Sequence, residues 1–120
     1  MSVVQIELSR LLHGAEKLCT SRNQSLPVEL GKSHFEECEG GVVFSKAHYL
    51  LDSSHSDYTD DVARVVFDTT DSIWLVEVPL DEGVQGDSVL WGPYPYLSRS
   101  KDLELILHEI EKDPKTYFWV

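Results

Sequence analysis

Three stretches of this chain hold residue types that could do chemistry. Gly31-Lys32-Ser33 has the ending of a phosphate-binding loop, but Leu26 stands where that pattern needs its first glycine. Pro27 removes a backbone N–H, and Glu29 and Glu36 add charge of the wrong sign for phosphate. His34 and Cys38 are four residues apart among Glu36, Glu37 and Glu39. On a helix that spacing would bring them to one metal ion, yet zinc takes about four ligands and no second pair follows at metal spacing. A solvated acidic segment is the simpler reading. His55-Ser56-Asp57, followed by Asp60 and Asp61, could form a hydrolytic metal site or an acid/base pair. The calcium-loop pattern of carboxylates with a glycine and a closing glutamate is missing there. The cluster also falls in the least patterned part of the chain, which favours a solvated loop or a charged face offered to a protein. His13, His48 and His108 are scattered, and no G-x-S-x-G elbow occurs. The expectation is a non-catalytic chain with no metal and no cofactor.

What is concentrated is negative charge. Between Asp52 and Asp87 there are ten acidic residues and a single basic one, Arg64, which gives a local net charge of −9 out of −11 for the whole chain. Such a field repels nucleic acid and anionic lipid and attracts basic partners. The residues expected to meet a partner are Asp57, Asp60, Asp61, Asp68, Asp71, Asp81, Glu82 and Asp87. Tyr94 and Tyr96 are the candidate aromatic anchors, stiffened by Pro93 and Pro95. For both tyrosines, interface and core readings are evenly balanced.

The elements that would carry these residues follow from periodicity. Val4, Leu8, Leu11, Leu12, Ala15 and Leu18 recur at helical spacing, predicting an N-terminal helix that ends near Cys19 or Thr20. Leu26 to Leu30 reads as a short edge strand, because Pro27 excludes a central one. Gly31 to Gly41 reads as a polar connection, and Val42 to Leu51 as a strand with a bulge or helical segment near Ala47. Ser53 to Asp61 reads as a loop. Val62–Phe67 and Ile73–Val78 flank the turn Asp68-Thr69-Thr70-Asp71-Ser72, which predicts a hairpin. Leu80 to Asp87 reads as an acidic loop, and Ser88–Trp91 as a short strand. Ser98 or Ser100 then caps a second helix carrying Leu103, Ile106, Leu107 and Ile110, which Pro114 ends. Thr116 to Val120 is strand-like. The fold class is α+β: an N-terminal helix, a central mostly antiparallel sheet, a C-terminal helix and a last short strand.

At 120 residues, with 42% hydrophobic and 26% charged residues, the chain has the composition of one folded domain, spanning residues 1–120, and not of a disordered segment. Cys19 and Cys38 are too few for a disulfide framework, and reduced thiols fit a cytoplasmic protein. Met1 to Glu7 lacks the pattern of a signal peptide, and no apolar run is long enough to span a membrane.

The final third, through Val89-Leu90-Trp91-Gly92-Pro93, Leu103 to Ile110, Asp113-Pro114 and Tyr117-Phe118-Trp119, resembles immunity proteins of bacterial polymorphic toxin systems. The resemblance implies a small, acidic, cytoplasmic, non-catalytic inhibitor that binds and neutralises a cognate toxin domain with a basic surface, such as a nuclease. An acidic protein can occupy a polyanion-binding site by charge mimicry. Two rivals stand beside this reading: an acidic secretion chaperone that holds an extended effector segment, and a small metal-dependent enzyme using the His55–Asp61 cluster.

Overall fold

A computed structural model describes residues 3–25, 32–48, 58–80 and 90–119. Helix α1 runs Val3–Ser25; strands follow at Lys32–Cys38 (β1), Gly41–His48 (β2), Tyr58–Asp68 (β3), Ile73–Pro79 (β4), Trp91–Pro93 (β5) and Arg99–Ser100 (β6), and helix α2 spans Leu103–Lys112. The strands form one antiparallel sheet in the order β1-β2-β3-β4-β5, and β6 pairs with the other end of the same β4 edge. The α+β class expected from the sequence is therefore what the chain adopts.

Both helices pack on one face of this sheet. Leu11, Ala15 and Leu18 of α1 and Leu103, Ile106 and Ile110 of α2 meet Val42, Phe44, Ala63, Val65, Trp74, Val76 and Val78 in a single core. Strand alternation selects those positions, since residues two apart share a face. Between β2 and β3 the register shifts after Phe44, so Ala63 faces Phe44 while Asp61 faces Ser45. This irregularity sits a few residues before the expected one near Ala47. Gly41 lies so close to the backbone of Val65 that a Cβ there would strike its carbonyl oxygen, which fixes glycine at the start of β2.

Five sequence expectations are corrected, the last of them at the C-terminus. Helix α1 continues past Thr20 to Ser25, because the polar residues beyond it are anchored. The Asn23 side chain accepts from the Ser33 N–H at 2.8 Å and donates to the Ser33 carbonyl at 3.0 Å, as a neighbouring strand would. The expected connection over 31–41 contains the edge strand β1, whose register places Phe35 opposite Phe44. The expected loop to Asp61 is already strand from Tyr58 onward. Helix α2 is capped by Asp102, whose carboxylate accepts the Leu105 N–H, and Ser100 supports it by accepting the Asp102 N–H.

The strand-like run at the C-terminus is not a strand over Tyr117–Trp119. Asp113 ends α2 in the left-handed region, at φ 46°, and its carboxylate accepts the N–H groups of Tyr117, Phe118 and Trp119 at 2.7 to 3.1 Å. Those donors are then unavailable to a sheet. The Trp119 indole donates to the Ile110 carbonyl at 2.7 Å. Arg22 completes the junction. It donates to Ser33 Oγ and to the Glu111 carbonyl, and its guanidinium lies 4.5 Å from the centre of the Trp119 ring. The expected strand over Leu26–Leu30 and the last three residues of the one expected over Val42–Leu51 lie outside the described residues, as do Ser88 and Val89.

Candidate functional site

Neither helix lies over the opposite face of the sheet. By alternation that face carries Glu36 of β1, Val43 of β2, Arg64 and Val66 of β3, and Leu75 and Glu77 of β4, with neighbouring strands about 4.8 Å apart. Val43, Val66 and Leu75 are all half-buried, so apolar surface lies between the carboxylates.

Arg64 is the fixed point of this face. It stands directly opposite Glu77, and its Nε and Nη2 both lie 2.9 Å from Glu77 Oε1. Its guanidinium also sits 4.8 Å from the centre of the Trp91 ring, a cation–π contact. Arg64 and Glu77 thus neutralise each other, and a second group of carboxylates lies further along the sheet, where Glu36 has His34 Nε2 at 3.7 Å and Asp60 stands opposite Lys46. There Asp61 is exposed, and its pKa is raised, first by partial burial and then by the Glu36 and Asp60 carboxylates. The Glu36 and Asp60 carboxylates therefore disfavour the charged form of Asp61, Glu36 from the neighbouring part of the sheet and Asp60 from the adjacent position on β3.

Among the described residues, the predicted partner-binding carboxylates do not lie together. Asp60 and Asp61 lie near the start of β3, and Asp68 closes it, about 23 Å away along an extended strand. Asp68 accepts the Thr70 N–H within the β3–β4 turn, and Asp71 lies 3.7 Å from Arg99. Asp57, Asp81, Glu82 and Asp87 lie outside the described residues. Glu36, which sequence reasoning placed in a connection, is the residue that joins Asp60 and Asp61. The sequence of β1, in which Phe35 is the one large apolar residue, carries no clear strand period that could have found it.

The two tyrosines separate. Tyr96 is 58% exposed, as a surface anchor must be, and Lys115 sits over its ring at 5.4 Å. Tyr94 has no exposed surface. It packs 4.5 Å from Phe118, ring centre to ring centre, and donates its hydroxyl to Glu109 Oε2 at 2.8 Å. Burial and that carboxylate both push its pKa well up. Tyr94 is a core residue with its one polar atom satisfied, which corrects its assignment as an anchor.

His34 and Cys38 lie on a strand, so four residues separate them by about 13 Å, too far for one metal ion. No group of three or more His, Cys, Asp or Glu residues is placed to hold a metal among the described residues. The second half of the His55–Asp61 cluster is on β3; His55 and Asp57 lie outside the described residues. Both thiols are free. Burial pushes Cys19 up to about 12, and Cys38 is raised by burial too, partly offset by Arg64. Protonated thiols are poor nucleophiles. Among the described residues no helix is long and apolar enough to cross a membrane.

No curated protein and no solved structure matches the chain. One family model does, over residues 3–120, nearly the whole length, and the chain belongs to that family, described as a domain of unknown function (DUF3024).

Proposed function

We propose that this chain is a non-catalytic binding protein that engages a basic, folded partner through the face of its sheet opposite the two helices. We further propose that the partner is a toxin domain, neutralised by this chain as its immunity protein. The observation that carries the reading is the composition of that face. Val43, Val66 and Leu75 supply apolar area, and Glu36 and Asp61 supply charge, without either helix lying across them. Contiguous half-apolar surface with charged neighbours is what a protein interface needs. Carboxylates kept together against their own repulsion favour a basic partner, because its cations relieve that repulsion on binding. The C-terminal resemblance to immunity proteins points the same way.

The test is co-expression with the C-terminal domain of any larger protein encoded immediately upstream. Growth should be rescued, and the purified pair should bind more weakly as salt is raised. Glu36→Lys together with Asp61→Lys should slow association at low salt by about tenfold while leaving the fold intact. Rescue with an unchanged association rate would move the interface off this face. Failure of both rescue and binding would remove the immunity reading for that pair.

A further inference from the structure

On the helical side of the molecule, α1 and α2 bound an open groove of about 790 Å³. Gly14 sets its depth: the Leu107 side chain packs onto it so closely that any Cβ at residue 14 would collide with Leu107. The two walls differ in charge. Arg10, His13 and Lys17 line one, at positions i, i+3 and i+7 of α1, and Glu104, His108 and Glu111 line the other, at i, i+4 and i+7 of α2. No ion pair crosses the groove among the described residues; Arg10 pairs with Glu7 and Glu111 with Lys112, each on its own helix. Ile6, 47% exposed, and Leu107 supply apolar surface between the walls.

We propose that this groove is a self-association surface whose occupant is a second copy of the chain. A basic stripe beside an acidic one is self-complementary under a two-fold rotation, because the rotation lays each stripe of one copy on the opposite stripe of the other. The lengths match as well. Arg10 to Lys17 and Glu104 to Glu111 are both seven residues, about 10.5 Å of helix rise, so two cations of one copy span two carboxylates of its partner. Elsewhere two copies with a net charge of −11 repel, which limits productive contact to a surface where cations face outward. The groove lies across the sheet from Glu36 and Asp61, so pairing leaves that face open and stands independently of the proposed partner.

Sedimentation velocity on the full chain tests this. The mass should rise from 13.6 kDa toward twice that value as concentration increases. Arg10→Glu with Lys17→Glu, or Glu104→Lys with Glu111→Lys, should each raise the dissociation constant of the pair at least about tenfold, because like charges then face each other. Mixing the two reversed variants should restore a two-chain species. Lys17→Glu alone, at an exposed residue, provides a milder variant where circular dichroism shows that a double variant disturbs α1. A wild-type chain that stays at single mass at every concentration would overturn the proposal. So would a pair indifferent to both reversals, or reversed variants that fail to combine.

Discussion

The Asp61 carboxyl is placed beside Glu36 and Asp60, and the folded chain holds its proton more tightly than an unfolded chain would. The sign of the linkage follows. Asp61's contribution to stability is full below its ordinary pKa of 3.8 and is lost as pH rises through the raised folded value. Asp61→Asn should therefore be more stable than the wild type at neutral pH, by about 0.5 kcal/mol, as for exposed like-charge neighbours. Thermal unfolding should show that advantage fading in acid, where the wild-type carboxyl is protonated. A less stable variant at neutral pH would mean that Asp61 makes a favourable contact that outweighs the repulsion. A carboxylate retained at a stability cost is the pattern expected of a functional residue. Tyr94 shows the opposite balance at the same scale, with its ring buried and its hydroxyl paired to Glu109, so nothing about it is left for a partner.

At the scale of elements, one side chain ties three of them together. Arg22 leaves α1 to reach Ser33 on β1, the Glu111 carbonyl on α2 and the Trp119 ring beyond it. Burial lowers its pKa, and Asp113 and Glu111 oppose that shift. A lysine keeps the charge but has no planar fork to divide between two oxygens while stacking on an indole. Arg22→Lys should therefore lose about 2 kcal/mol of stability in denaturant unfolding; a loss no greater than that of an exposed arginine variant would show that the junction is redundant. This junction also marks the limit of what the sequence disclosed. Helices α1 and α2, the β3–β4 hairpin and most of the core were legible, because Leu11, Ala15, Leu18, Val65, Trp74, Val76, Leu103 and Ile106 follow clean periods. Strand β1 was not, since Phe35 is its one large apolar residue. The end of α1 was hidden because Arg22 and Asn23 read as loop residues until their distant partners are known. The same applies to the tail, where aromatic residues spell a strand while Asp113 collects their N–H groups. Two of the three carboxylates at the candidate site were legible, Asp60 and Asp61. Glu36 was not, because its role depends on β-pairing across the sheet.

For the whole molecule, a net charge of −11 spread over a small domain opposes the folded state through self-repulsion. Added sodium chloride should raise the melting temperature, by about 4 °C between low and moderate ionic strength, as screening outweighs the loss of surface pairs such as Arg99–Asp71. A melting temperature that falls with salt would give the dominant share to the ion pairs Arg64–Glu77 and Arg10–Glu7. Charge and topology also set the order in which the molecule can be completed. The sheet is a run of neighbours, β1 through β5, each paired with the next along the chain. Those contacts close short loops, which form quickly. The bond from Arg22 to the Glu111 carbonyl spans 89 residues. During synthesis α1 emerges before the strands and α2, so Leu11, Ala15 and Leu18 are covered by the sheet first, and the seal made by α2 and Trp119 forms only later. Until α2 and Trp119 have emerged, the apolar stripe of α1 is only partly sealed, so that interval is when the nascent domain is most exposed to aggregation and to chaperone capture.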